Sequence, residues 1–190
     1  MHLRLRHFLL LFTSLPAFAQ TPRTELHYTS SAQQKITVFK GTIFVNGNRA
    51  FQVSSDINYA SKRNRLIENE GVVFLFLEVN DAPRNNKLIV FGINNSKADS
   101  LLTAISSDVK DYDHDTFMEF GGSDVSAASP SADQVYYIPS KYYEIRNGHI
   151  TYDAAYTEKI DKKVNGVFIA SPYDEATKSY KLIPKPKGHA

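Results

Sequence analysis

Asp111, Asp113 and Asp115 alternate within Asp108-Val-Lys-Asp-Tyr-Asp-His-Asp-Thr-Phe-Met-Glu119, the densest run of carboxylates in the chain. Acids at alternate positions of a loop can converge on a hard cation, as positions 1, 3 and 5 of a helix-loop-helix calcium loop do. That loop also uses glycine at position 6 and a bidentate glutamate at position 12, where this chain has Thr116 and Gly122. The spacing therefore leaves two readings open, a looser calcium site or a solvated acidic loop. Asp111, Asp113 and Asp115 are the metal-ligand candidates, and calcium is the one cofactor they bring into view.

The remaining chemistry is sparse. His27, His114, His149 and His189 are scattered, with no H-x-H or H-x-x-x-H pair. His114, between two aspartates, has the position of a base or a ligand, but its simpler reading is a surface group. His149 follows an Asn-Gly pair and reads as the exposed start of a strand. No G-x-S-x-G elbow, S-x-x-K pattern, phosphate-binding loop or dinucleotide glycine pattern occurs. Cysteine is absent, which excludes thiol catalysis and cysteine-ligated zinc. Glycosidase chemistry needs two carboxylates a fixed distance apart, and nothing singles out a pair among 20 acids. No catalytic residue is assigned, and the expectation leans away from an enzyme.

Tyr136, Tyr137, Tyr142, Tyr143, Tyr152 and Tyr156 crowd into one short stretch. Adjacent tyrosines on a strand point to opposite faces, so each of the first two pairs sends one ring inward and one outward, while Tyr152 and Tyr156 share a face. An outward row would suit stacking on sugars or a protein interface. Ordinary cross-strand aromatic packing is the stronger reading.

Residues 1–19 say where the chain works. A basic start with Arg4 and Arg6, the apolar run Phe8-Leu-Leu-Leu-Phe12 and its extension, and a small-residue Ala17-Phe-Ala19 end have the order of a secretory leader. Cleavage after Ala19 predicts Gln20 as the mature N-terminus. The chain carries 22 basic and 20 acidic side chains; the leader takes two arginines and no acid, so the mature chain balances 20 against 20. That gives no basic face for nucleic acid. With no cysteine, no lipid-modified cysteine is expected after the leader. A cysteine-free exported chain points to a bacterial periplasm or the exterior. The longest later apolar run, Val72–Leu77, has the length of a strand, so no integral membrane segment is expected once the leader is removed. A barrel in an outer membrane would need sustained alternation that this chain lacks.

The elements that must hold these residues are mostly strands. Asn46-Gly47 and Asn147-Gly148 lie between β-forming runs and predict two-residue hairpin turns. A third hairpin is expected from 72–79 and 87–93, whose continuous apolar character requires cover on both faces. Ser96-Lys-Ala-Asp99 reads as a capping box, and Ala98, Leu101, Leu102, Ile105 and Val109 fall at helical spacing, predicting a helix over 97–109. Further strands are expected near 35–39, 116–120, 134–138, 151–157 and 179–183, with a small-residue loop at 121–133. Asp161-Lys-Lys163 is read as a turn, and Gly166 as a bulge or tight approach. The organisation is a leader (1–19), a flexible lead-in (20–34), one β-rich domain (35–183) and a tail (184–190). The fold class is mostly β: an antiparallel β-sandwich or curved sheet with one covering α-helix near 97–109.

Gly148-His-Ile-Thr-Tyr-Asp153, Lys159-Ile-Asp-Lys-Lys-Val-Asn-Gly-Val-Phe168 and Val45-Asn-Gly-Asn-Arg-Ala-Phe51 together resemble a pattern in uncharacterised small exported envelope proteins of bacteria. The resemblance implies a β-sandwich and carries no activity and no site. Taken together, the expectation is an exported, non-catalytic β-domain with a binding or structural role, its partner an unidentified protein or glycan. The alternative is a calcium-assisted or carbohydrate-binding module, and a cryptic hydrolase comes third.

Overall fold

Three antiparallel sheets stack face to face, and one helix covers the outermost. The computed structural model describes residues 24–125 and 128–186. The leader, the expected cleavage point and the last four residues of the tail lie outside the described residues.

The first sheet contains β1 (Glu25–Thr29), β2 (Lys35–Phe39), β3 (Thr42–Val45) and β4 (Asn48–Gln52), in that order. The second contains β5 (Arg65–Asn69), β6 (Val72–Val79), β7 (Lys87–Asn94) and β8 (Lys97–Ile105), also in chain order. In the third, β9 (Met118–Ser123) and β12 (His149–Tyr152) flank β11 (Ser140–Arg146). Helix α1 (Ala154–Asn165) follows. Short strand pairs complete the chain: β10 (Gln134–Tyr136) with β15 (Leu182–Pro184), and β13 (Tyr173–Asp174) with β14 (Ser179–Tyr180).

The second sheet is the middle layer, which explains the unbroken apolar runs of β6 and β7. Val73, Leu75, Leu77 and Val79 pack with Ile36, Val38, Ile43 and Val45 of the first sheet. Phe74 and Phe76 point the other way and pack with Phe120, Tyr143 and Ile145 of the third. Each such burial stabilises by about 1.5–3 kcal/mol, so a strand covered on both faces contributes to two cores at once.

The Asn46-Gly47 and Asn147-Gly148 hairpins form as expected, with positive φ at all four residues. Lys40-Gly41, Glu70-Gly71 and Asn95-Ser96 close three more hairpins with the same pair of positive φ values.

The helix expected over 97–109 is instead strand β8. Phe91 pairs with Ser100 and Val90 with Leu102, which leaves Leu101 as a bulge. The extra residue shifts the alternation, so Ala98 faces one core while Leu102 and Ala104 face the other. A strand that changes faces at a bulge mimics i, i+3, i+4 spacing. Ser96, read as a helix cap, is the second residue of the hairpin turn.

The covering helix is α1, where a strand to 157 and a turn at 161–163 were expected. Asp153 caps it, accepting a hydrogen bond from the Tyr156 N–H at 2.8 Å. Gly166 ends it with φ 73, its N–H donating to Lys162 O. Its buried side chains are Tyr156, Thr157, Asp161 and Asn165, a mainly polar face. Asp161 accepts from Tyr137 Oη (2.8 Å) and Ser140 N (2.7 Å), and the Asn165 amide pairs with both backbone groups of Ile138 (2.8 Å each). Satisfying these buried donors docks the helix on β11. The lead-in is also partly ordered, since β1 pairs with β2 over Glu25–Thr29. Part of the expected 121–133 loop, Gly121 to Ser123, belongs to β9. There a Cβ on Gly121 would lie 2.1 Å from Lys141 O, so only glycine lets β9 pass this close to β11.

Candidate metal centre

The three candidate aspartates come together, and Glu119 joins them. One carboxylate oxygen from each of Asp111, Asp113, Asp115 and Glu119 lies within 4.8 Å of all the others. Two oxygens on opposite sides of a calcium ion, each at about 2.4 Å, are separated by about that distance. The group sits on the face of the third sheet that points away from the central layer.

Local pairing builds it. Lys110 and Glu119 form an isolated antiparallel bridge, which folds the 111–117 loop back over the start of β9. Tyr112 N donates to Glu119 Oε2 at 2.6 Å. The Asp111 carboxylate accepts the N–H groups of His114, Asp115 and Thr116, while Asp115 Oδ1 accepts that of Phe117. His114 and Thr116 take φ values of 68 and 81. Thr116 therefore adopts, at position 6 of the loop, the left-handed backbone for which a calcium loop uses glycine.

Glu119 is 0% exposed, and among the described residues its Oε1 accepts no hydrogen bond. The same holds for Asp113 Oδ1. Burial raises the Glu119 carboxyl to about 7; the Tyr112 N–H works against this, and the charges of Asp113, Asp115 and Asp111 add to it. Glu144 stands directly across from Glu119 on β11. Its carboxyl is also raised, by burial and then by the charge of Asp115. The nearby cations do not neutralise the group. Lys110 Nζ sits 4.7 Å above the Tyr112 ring and the Arg146 guanidinium 4.3 Å from the Phe117 ring. Among the described residues no ion pair reaches any of the four carboxylates. All donors are oxygens and several are charged, a set matched to a hard divalent cation.

A second buried glutamate is built differently. Glu78, on β6 and 3% exposed, accepts from Arg63 Nη1 (3.1 Å), from Asn58 Nδ2 (3.2 Å) and from the Ser106 hydroxyl. Burial pushes its carboxyl up, but the hydrogen bonds from Ser106, Ser61 and Arg63, with the Arg63 charge, hold it below its ordinary value.

The other candidates lie elsewhere. The His114 backbone N–H serves the Asp111 turn, and His149 lines a shallow groove with Val72 and Leu101. Tyr142 does point away from Tyr143, but it is covered: Tyr156 lies edge-on at 4.8 Å and Tyr112 at 6.1 Å. Tyr152 and Tyr156 do not share a face, because the strand ends at Tyr152 and α1 carries Tyr156 onto Tyr142. The tyrosine-rich hairpin is thus largely packed rather than an open platform. Glu119 is the member of the cluster that the spacing of the aspartates did not reveal. Its signal was a lone carboxylate between apolar residues in Phe117-Met-Glu-Phe120. Comparison with family models, curated proteins and solved structures gives no match.

Proposed function

We propose that this protein is a non-catalytic β-domain of the periplasm or cell exterior that binds calcium through Asp111, Asp113, Asp115 and Glu119. One observation carries the reading. Among the described residues, a fully buried glutamate with an unpaired oxygen lies among three aspartates with no counter-charge in contact. Left alone, that arrangement is costly, because buried charge needs a partner. A divalent ion removes the cost and makes the loop part of the folded architecture. The order of residues 1–19 supports export. Among the described residues no helix is long and apolar enough to cross a membrane.

The ion has a structural role in this reading. It ties the 111–117 loop to β9 and seats Tyr112 against Tyr142 and Tyr156 on the first turn of α1. Terbium, a luminescent stand-in for calcium, tests the site directly. The chain has no tryptophan, and Tyr112 stands between two ligands, so excitation of tyrosine should give sensitised terbium emission. Calcium should displace it, and Glu119→Gln should abolish it. Emission that is absent in the wild type, or unchanged in Glu119→Gln, contradicts the proposal.

A further inference from the structure

Tyr180 separates two adjoining grooves at the end of β11 remote from the acidic loop. The first, about 310 Å³, is lined by Lys87, Thr103, Asp124, Lys141 and Tyr143 together with Tyr180. The second, about 650 Å³, opens on the other side between Tyr136, Asp174, Thr177, Ser179 and Lys181. Both are of a size that holds small ligands. Tyr180 is braced by Tyr173, edge-on at 5.5 Å.

The charges that line these grooves are unequally committed. Asp124 Oδ1 accepts the neighbouring Val125 N–H, and Asp174 Oδ1 accepts the N–H groups of Ala176 and Thr177 in its own turn. The ammonium groups are freer. Lys141 Nζ lies 5.3 Å from the Tyr143 ring, and among the described residues neither Lys87 nor Lys181 has an ion-pair partner. The groove pair thus offers aromatic rings, the Thr103 hydroxyl, the Thr177 and Ser179 hydroxyls that bond to each other at 2.9 Å, and three lysines that have no carboxylate partner among the described residues.

We propose that this paired groove, independent of the cation site, binds an acidic carbohydrate: a uronate-bearing oligosaccharide that crosses Tyr180. A sugar ring presents a C–H face that packs on tyrosine. Its carboxylates fit lysine ammonium groups, which act as point charges, and its hydroxyls fit the threonine and serine rim and the second carboxylate oxygens of Asp124 and Asp174, which accept no hydrogen bond among the described residues. With three lysines against two aspartates the lining keeps a net positive charge, and its tyrosine rings, against which inorganic phosphate cannot pack, distinguish this surface from a general polyanion site.

The test is a nuclear magnetic resonance titration of the full chain with trigalacturonate, beside neutral galactotriose and inorganic phosphate at matched ionic strength. Trigalacturonate should shift the amides of Thr103, Lys141, Tyr180 and Lys181, and galactotriose should bind at least about tenfold more weakly. Lys87→Gln with Lys141→Gln should weaken trigalacturonate binding about tenfold while the spectrum elsewhere stays unchanged. Tyr180→Leu, which keeps an apolar side chain against Tyr173, should also weaken it. No shifts at about 10 mM trigalacturonate, equal binding of the neutral trimer, the same shifts from phosphate, or full affinity in the double-lysine variant would each overturn the proposal.

Discussion

Glu78 and Glu119 are both glutamates on strands, both nearly or fully covered, and they have opposite electrostatic lives. Glu78 has a guanidinium, an amide and a hydroxyl around it, and its carboxyl stays below the ordinary range. Glu119 has one backbone N–H, three aspartates and an unpaired oxygen, and its carboxyl rises to about 7. Depth of burial is the same, so the partners decide. A carboxylate supplied with donors holds the fold together, whereas one supplied with more carboxylates is where we propose that a cation binds.

Removing each glutamate should therefore move stability in opposite directions. Glu78→Ala leaves Asn58 and Ser106 without their acceptor and Arg63 with Asp108 as its remaining carboxylate, at a cost of about 3 kcal/mol in urea denaturation, with or without calcium. A cost that depended on calcium would merge the two regions and break the contrast.

Glu119→Gln should do the reverse in metal-free protein. The Glu119 carboxyl is raised from 4.5 to about 7, so the folded state holds its proton more tightly than the unfolded chain. That contribution is complete below about pH 4.5 and is lost as pH rises through about 7, a loss of up to about 3 kcal/mol. Glutamine cannot ionise, so the variant should be more stable than wild type by up to about 3 kcal/mol at pH 8 and roughly equal at pH 5. Glu78 has the opposite sign: its contribution is present above its ordinary value and is lost as pH falls through its lowered folded value. Metal-free stability at pH 5 through 8, measured for wild type and Glu119→Gln, sharpens the comparison.

The smallest effect is expected at Thr116, whose φ of 81 is strained for a β-branched residue. Thr116→Gly should stabilise the protein by about 1 kcal/mol and preserve the calcium response. A destabilised variant would mean that the threonine side chain, not the backbone, shapes the loop.

The sequence made the Asn-Gly hairpins readable because type I′ turns demand residues that tolerate positive φ. It made the doubly covered β6 and β7 readable because both faces are apolar. The rest was hidden by specific features. The bulge at Leu101 gave β8 a helical spacing. The face of α1 that docks is polar, so no apolar stripe marked it, although Asp153 and Gly166 were in place as caps. The aspartates of the site were legible from their alternation. Glu119 was not, because its role depends on the Lys110 bridge that folds the loop back over it.

The most direct measurement is the thermal melt of wild type and Glu119→Gln, each in EDTA and in millimolar calcium. An ion that binds only the folded state raises the melting temperature by mass action. The account predicts a rise of several degrees in the wild type, none in Glu119→Gln, and an undiminished rise in a conservative Glu78→Gln variant. A wild-type melt indifferent to calcium, or an equal rise in Glu119→Gln, would contradict it.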